Sequence, residues 1–499
     1  MACLAGPLAA QNPLSAIDWL EAQRVAPRAP GLLPPADEPA VARTALRPEV
    51  ETLPLDAPTV EGVGLLPQSV TGLPRSLWAR SDARILATLI RQTDPAVPAL
   101  SALFNTLLLA EADPARDPGG ETSLLAARTD ALMQRGVVEP ALALIERAGP
   151  ADPALWPYWF ELGLLTGDTS AACAALRRDP GLGGDLRARI WCSAREGDWG
   201  YAATLLQTGA ALGSIRARDA DLLQRFLDPE LAEDLPYLRP PVRPDALQFR
   251  LFEAIGEPLP TAPLPRRFAS VDLGGDSGWK AQLEAGERLA RTGAISENRL
   301  LGLYSARKPA ASGGIWDRVA ALQAFEAALG SGDPARIGPA LETVWPQMRS
   351  AGLLVAFSEL SGPALIPVSL EGRAADLAQR AALLSSEYEA AAARMTDQPL
   401  LQAVAQGRAP ETAGTLPHAG AVAAAFGGAA VPSYLQDMLG DGRLGEAILE
   451  AIALFSSGAE GNPGDLTAAL AVLRAVGLED PARRAALQVM LLDDEGARR

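Results

Sequence analysis

One segment of the chain resembles a phosphate-binding loop at first sight. It runs from Gly274 to Lys280 and reads GGDSGWK. A Walker-type loop needs glycine directly before the lysine and Ser or Thr directly after it, because the backbone cradles the phosphates and the hydroxyl binds the metal. Here Trp279 precedes the lysine and Ala281 follows it. We therefore expect no nucleotide site, and instead a helix over 279–292 that starts after Gly278.

Isolated carboxylates and a single histidine are the other candidates for catalysis. Glu359 lies in FSELSG and Glu387 in SSEYEA, and neither has the Glu-Ser-aromatic context of lytic transglycosylases. His418 is the only histidine and has no carboxylate or cysteine close to it in sequence. These residues are typical of solvated helices and a surface loop. The sequence predicts no catalytic residue, no cofactor and no metal site.

Two cysteines are placed so that they could form a disulfide. Cys173 and Cys192 lie in consecutive helical segments, equidistant from the turn signal Asp179-Pro-Gly-Leu-Gly-Gly184. In a helix hairpin, residues equidistant from the turn lie at the same height, so the sulfur atoms could meet. The alternative is a pair of buried free thiols, which are common in protein cores. A disulfide would favour an oxidising compartment.

Aromatic residues are densest around Trp156. On a helix, Trp156, Trp159 and Phe160 share one face. They could pack between repeats in the core. They could also form a wall that binds a peptide, since aromatic anchors dominate the energetics of protein interfaces.

The amino terminus resembles the end of a signal peptide. Ala9 and Ala10 precede Gln11 and a polar start, as signal peptidase requires, but a basic region and most of the apolar region are missing. We therefore expect an exported, periplasmic protein whose start site is assigned too far downstream or whose leader is truncated. A cytosolic protein with a short apolar start is the alternative.

A short amphipathic helix and a proline-rich linker follow. Leu14, Ile17, Trp19 and Leu20 lie mostly on one side of a helix over 13–23. So short a helix is marginal in water, and we expect it to bind a partner through these four residues. The next segment, 26–74, contains ten prolines and predicts an extended tether, with apolar spots such as Leu65 and Leu66 that could lie on the body of the protein.

Composition narrows the function classes further. The 499 residues carry a formal net charge of −16, so phosphate backbones repel the chain and nucleic-acid binding is not expected. No uninterrupted run of about 18 or more apolar residues is present, so no transmembrane helix is predicted. Hydrophobic residues make up 48%, with Ala and Leu dominant and aromatics at 5%, which favours helices over strands.

A loose repeat runs through the helical region. Each copy has a glycine that ends one helix and an Ala-rich helix that follows. The copies begin at Arg135-Gly136, Thr166-Gly167, Glu196-Gly197, Ser331-Gly332 and Asp441-Gly442. The first three glycines are 31 and 30 residues apart, which suits stacked helix hairpins. The glycine is expected in a left-handed helix cap.

This pattern resembles tetratricopeptide-like α-solenoid repeats, best over residues 120–215, although no copy has the full signature of that family. The AQNPLSAIDWL start and the proline-rich linker also resemble a group of alphaproteobacterial exported proteins with no assigned activity. The resemblance implies an all-α fold and supplies no site residues.

The predicted fold is therefore all-α, with helix-hairpin repeats stacked into an α-solenoid behind a proline-rich N-terminal tether. We expect eight segments: a signal-peptide remnant (1–10), a short amphipathic helix (11–25), the linker (26–74), a first helical block (75–228), a Pro-rich junction with one helix at about 244–256 (229–275), a second block (276–405), an Ala/Gly-rich loop (406–433) and a C-terminal block (434–499).

The predicted function is a non-enzymatic periplasmic scaffold or adaptor that binds a protein partner, within a cell-envelope machine. Two alternatives stay open. One is a peptidoglycan hydrolase that uses two carboxylates in a cleft, and the other is a cytosolic scaffold with reduced cysteines. The sequence gives neither the partner nor the oligomeric state.

Overall fold

A computed structural model describes residues 60–117, 124–230, 237–274 and 276–497, with side chains to Asp494. Its α-helices are α1 (Gln68–Thr71), α2 (Ala83–Gln92), α3 (Pro98–Leu109), α4 (Leu124–Gln134), α5 (Val138–Ala148), α6 (Trp156–Thr166), α7 (Ser170–Arg178), α8 (Leu186–Arg195), α9 (Trp199–Ala211), α10 (Ala217–Leu227), α11 (Ala246–Ala254), α12 (Ala269–Asp272), α13 (Trp279–Ala290), α14 (Glu297–Ser305), α15 (Ile315–Ser331), α16 (Pro334–Ser350), α17 (Leu354–Leu365), α18 (Gly372–Leu383), α19 (Tyr388–Ala392), α20 (Pro399–Ala405), α21 (Ala419–Phe426), α22 (Ser433–Gly440), α23 (Leu444–Ala459), α24 (Pro463–Ala475) and α25 (Glu479–Ala497). Three 3₁₀ helices span Val60–Gly62, Arg75–Leu77 and Arg266–Phe268. These ranges contain no strand.

Helices that follow one another in sequence pack as pairs. The most extensive pairings are α23 with α24, α15 with α16, α17 with α18, α8 with α9 and α5 with α6. Leu, Ala, Ile and Phe side chains fill the space between successive pairs in a continuous core. The predicted all-α solenoid is confirmed.

The five repeat glycines all adopt positive φ, between 68° and 92°. Gly197 illustrates the reason. Its N–H donates to the carbonyl of Ala194, and the next residue, Asp198, donates to Ser193 at 2.9 Å, which ends α8 and reverses the chain. A Cβ atom is strained in this left-handed conformation, so glycine is favoured. The predicted helix caps are confirmed.

The first and last helices of the described body also pack together. Helix α25 lies against α3, and α23 lies against α2. The contact is close at Gly445, where a Cβ would lie 2.4 Å from Cε3 of the buried Trp78. The described residues from Val60 onward belong to one compact unit.

The segment before α2 belongs to this body. The N–H groups of Leu65 and Leu66 donate to the carbonyl of Leu109 at 2.8 and 3.0 Å. The buried guanidinium of Arg128 donates to the carbonyls of Val63, Leu108 and Ala110. Residues 60–74, predicted as part of the linker, therefore belong to the body. Residues 1–59, with the predicted leader remnant and amphipathic helix, lie outside the described residues.

Two other segments differ from the predicted boundaries. The region 406–433, predicted as a loop, contains α21, whose buried side chains include Val422 and Phe426. It packs on α24. The junction 229–275 contains α11 close to its predicted place, together with α12 and a 3₁₀ helix. The helix that starts after Gly278 was predicted to reach residue 292 and ends at Ala290.

Candidate interaction surface

A disulfide joins helices α7 and α8. The sulfur atoms of Cys173 and Cys192 are bonded, and the two Cα atoms lie 5.2 Å apart. This distance is within the range that a disulfide can bridge. The pairing predicted from the symmetric positions of the two cysteines is therefore present in the structure. Both residues are buried, so the bond fixes the hairpin from within.

Polar contacts hold the same hairpin at its surface. Arg177 on α7 forms an ion pair with Glu196 at the end of α8, at 2.8 Å. Arg189 donates from Nε to the carbonyl of Gly183 at 3.0 Å and also binds the carbonyl of Pro180. The turn between the helices is thus tied to α8. The disulfide and these contacts make the hairpin a firm support for the next helix.

Two aromatic side chains stand exposed on the first turn of that next helix, α9. Trp199 is 50% and Tyr201 52% exposed. Asp198 caps the helix by accepting from the N–H of Tyr201 at 3.2 Å. The Trp199 ring lies 6.1 Å from that of Phe226, which in turn stacks on Trp191 at 5.3 Å. Trp199 is supported on one side and open to solvent on the other.

A shallow cavity of about 200 Å³ lies beside Tyr201. Its lining includes the disulfide, the pair of Arg177 and Glu196, and the ring of Tyr201. Apolar side chains such as Leu176 and charged ones such as Arg177 both line it, a mixture that is common in interfaces between proteins. We define the exposed first turn of α9, with Trp199 and Tyr201 on different faces of the helix, together with the cavity beside Tyr201, as the aromatic surface.

The aromatic residues predicted from sequence lie elsewhere. Trp156 is 2% and Phe160 6% exposed, and their rings stack with centroids 5.1 Å apart. Trp156 donates from Nε1 to the carbonyl of Ala172 at 2.9 Å. These two residues pack in the core, as the alternative interpretation had it, so a peptide wall built on them is wrong. Trp159 is half-buried, with Nε1 3.4 Å from a Glu146 oxygen.

The other predicted partner-binding residues, Leu14, Ile17, Trp19 and Leu20, lie outside the described residues. The aromatic surface itself had a signal that sequence analysis missed. An α-helix has 3.6 residues per turn, so each residue is rotated by about 100° from the one before it. Side chains two residues apart therefore point to nearly opposite sides of the helix. Trp199 and Tyr201 therefore cannot both face one core, and at least one of them had to be exposed.

Of the residues considered as catalysts, Glu359 and His418 have structural contacts, and Glu387 is exposed. Glu359 accepts from the N–H of Ser386 at 2.8 Å and pairs with Arg484. His418, expected in a surface loop without a carboxylate near it in sequence, lies with Nε2 2.6 Å from Oδ2 of Asp493, across 75 residues. Within the described part of the chain, no three His, Cys, Asp or Glu side chains are grouped to hold a metal ion.

None of the described helices is both long and apolar enough to cross a membrane. No family model matches the chain, and neither the curated proteins nor the solved structures include one with detectable similarity to it.

Proposed function

We propose that this chain is a non-enzymatic helical scaffold that binds a protein partner through the aromatic surface. The observation that carries the proposal is that Trp199 and Tyr201 are half-exposed on the first turn of α9, directly after the hairpin that the disulfide joins. Tryptophan and tyrosine are among the residues most enriched at the energetic centres of interfaces. Their burial by a partner would supply most of the binding free energy.

The rigidity of the support favours this role. Binding loses free energy when side chains and loops become ordered, so a surface that is already ordered retains more of its contact energy. The disulfide between Cys173 and Cys192, the cap at Asp198 and the stack on Phe226 fix the aromatic surface before any partner arrives.

The proposed compartment is oxidising, such as the periplasm, where the disulfide would persist. A tetratricopeptide-like repeat origin, and a place in a cell-envelope machine, fit a scaffold of stacked helix pairs. The N-terminal helix with Leu14, Ile17, Trp19 and Leu20 would be a second contact. A tether raises its effective concentration near a partner that already occupies the aromatic surface.

The two alternatives make different demands. A peptidoglycan hydrolase would release fragments from purified sacculi, and a single carboxylate substitution would abolish this release. A cytosolic scaffold would hold Cys173 and Cys192 reduced in cells. We expect no turnover, and an oxidised pair that resists alkylation until a reductant is added.

Capture of partners from the native cell tests the proposal. The variant Trp199→Ala/Tyr201→Ala should lose the protein that the unaltered chain retains. The double variant Tyr237→Ala/Tyr434→Ala is the matched control, because both tyrosines are exposed, at 71% and 45%, and lie outside the aromatic surface. Equal capture by both variants would contradict the proposal. A truncation that tests the tether should remove residues 11–57 only, since residues 60–74 belong to the body.

A further inference from the structure

Four arginines from three segments of the chain come together away from the aromatic surface. Arg135 follows α4, Arg266 starts a 3₁₀ helix, and Arg288 and Arg291 lie at the end of α13. Arg135 and Thr292 hold the first and last of these segments together. Arg135 donates from Nη2 to the carbonyl of Thr292 at 3.3 Å, and the Thr292 hydroxyl donates to the carbonyl of Arg135 at 2.8 Å.

Arg288 positions the middle segment, which contains Arg266. Its Nη1 and Nη2 donate to the carbonyls of Thr261 and Leu264 at 2.9 and 2.6 Å. This fixes the chain just before Arg266. The side chain of Arg266 then lies against Gly136, where an added Cβ would be 3.2 Å from Cγ of Arg266. Gly136 has φ +82°, which strains a residue with a Cβ, and an added Cβ would also lie only 2.4 Å from Cδ2 of Leu289. We call Arg135, Arg266, Arg288 and Arg291 the arginine cluster.

Within the described residues, the hydrogen bonds that the cluster donates go to neutral oxygens. Arg135 donates from Nε to Oδ1 of Asn105 at 2.7 Å, and Arg291 donates from Nε to the carbonyl of Ala351, also at 2.7 Å. Arg266 is half-buried, and within the described residues it donates no hydrogen bond and forms no ion pair. Its guanidinium therefore has donors available to a ligand.

The charges of the cluster are only partly balanced. Burial and the repulsion from Arg266 lower the pKa of Arg135 to about 10, and burial also lowers the pKa values of Arg266 and Arg288. Asp94 and Asp272 are the carboxylates that oppose this repulsion.

One further carboxylate lies near the cluster. Arg291 is 3.8 Å from Glu287, but Arg318 already pairs with that carboxylate at 2.7 Å. A chain with a net charge of −16 has no general reason to concentrate uncompensated positive charge in one half-buried place.

We propose that the arginine cluster is a binding site for a dianionic oxyanion, namely a phosphate group, either free or as a monoester. Arginines outnumber the carboxylates near them in this cluster, which favours a ligand with more than one negative charge. Guanidinium groups match the geometry of phosphate oxygens and bind them with two parallel hydrogen bonds. Arg266 and the exposed Arg291 would contact the anion, while Arg135 would stabilise it from the buried side.

Calorimetric titration of the full chain with inorganic phosphate, in a low-salt buffer without other oxyanions, tests the site. The same titration with phosphoserine distinguishes a free phosphate from a phosphate monoester, and acetate serves as a monoanion. Arg266→Gln should weaken phosphate binding roughly tenfold or more, as the loss of a charge-assisted hydrogen bond does. Arg291→Gln is the second variant, and Arg299→Gln is the control, because Arg299 pairs with Glu139 on the surface.

Binding of phosphate or phosphoserine by the unaltered chain and by Arg299→Gln, with loss in Arg266→Gln and Arg291→Gln, is the expected result. In phosphate-free buffer, Arg266→Gln should melt at or above the temperature of the unaltered chain, because one repulsive charge is gone. The site would be ruled out if neither phosphate form bound, if acetate bound equally well, or if Arg266→Gln kept its affinity. A large drop in the melting temperature of Arg266→Gln in that buffer would show that the arginine stabilises the fold rather than serving a ligand.

Discussion

The side-chain oxygen Oε1 of Gln488 accepts a hydrogen bond from the backbone N–H of Ala99 at 2.8 Å, across 389 residues of chain. Ala99 lies in the first turn of α3, where backbone N–H groups have no partner within the helix. Gln488 is 1% exposed and lies on α25. Helix α25 therefore supplies a hydrogen-bond acceptor that the first turn of α3 lacks. We expect the two ends of the described body to unfold together.

Gln488→Ala should lower the free energy of unfolding by about 1–3 kcal/mol, because it leaves a buried N–H without an acceptor. Chemical denaturation followed by circular dichroism measures this change. Gln207→Ala is the control, since Gln207 is exposed on α9. A single transition should persist in both variants. Two separate transitions in the unaltered chain would contradict the joint unfolding of the two ends.

Reduction of the disulfide should destabilise the body. Cys173 and Cys192 are 19 residues apart, and closing a loop of this size contributes about 3 kcal/mol. We expect a lower melting temperature with a reductant than without it. The variant Cys173→Ala/Cys192→Ala should melt at one temperature under both conditions. If the unaltered chain were equally insensitive, the disulfide would contribute nothing to stability.

Stability should also depend on pH through Glu479. Burial opposes the ionisation of this carboxylate, but hydrogen bonds from Arg474 and Arg483 outweigh it and lower the pKa of Glu479 below its ordinary value of 4.5. A lowered pKa in the folded state means that the stabilisation is present above pH 4.5 and is lost as the pH falls through the folded pKa.

Glu479→Gln should therefore melt below the unaltered chain at pH 7, and the difference should shrink as the pH is lowered from 4.5. Glu342→Gln, at an exposed position on α16, should show no such convergence. Thermal melts in a buffer series measure both. A gap for Glu479→Gln that stayed constant down to acid pH would show that the arginine contacts do not act through the charge of this group.

The amphipathic helix predicted over residues 13–23 should act on binding and not on stability. Trp19 and Leu20 would each contribute roughly 1.5 to 3 kcal/mol if a partner buried them fully. Trp19→Ala/Leu20→Ala should leave the melting temperature of the chain nearly unchanged and weaken partner capture. A melting temperature several degrees lower would instead mean that this helix is a structural strap on its own body.

Local patterns in the sequence were sufficient to predict several features of this fold. Glycines such as Gly167 were predicted as left-handed helix caps because only the residue type and its immediate neighbours decide that conformation. The same holds for the pairing of Cys173 with Cys192, which depends on one short turn. Predictions of this kind need no knowledge of distant contacts.

Distant contacts explain what sequence analysis missed. The helix α21 was predicted as a loop because its Ala- and Gly-rich sequence has little periodicity, and its packing on α24 stabilises it. The arginine cluster joins segments more than a hundred residues apart, for example Arg135 and Thr292, so no local pattern reveals it. Trp156 and Trp199 are each the first residue of a helix, yet Trp156 is buried and Trp199 is exposed. This difference depends on the neighbouring helices and not on the local sequence.

Site-specific photo-crosslinking in the native cell tests the central claim most directly. A benzophenone amino acid would replace Tyr201 in the aromatic surface, and separately Tyr434, which is exposed elsewhere. The account predicts a discrete crosslinked protein from position 201, absent from position 434 and lost when Trp199→Ala is added. Crosslinking at position 434 alone, equal crosslinking at both positions, or none at position 201 would contradict a scaffold that binds its partner through this surface.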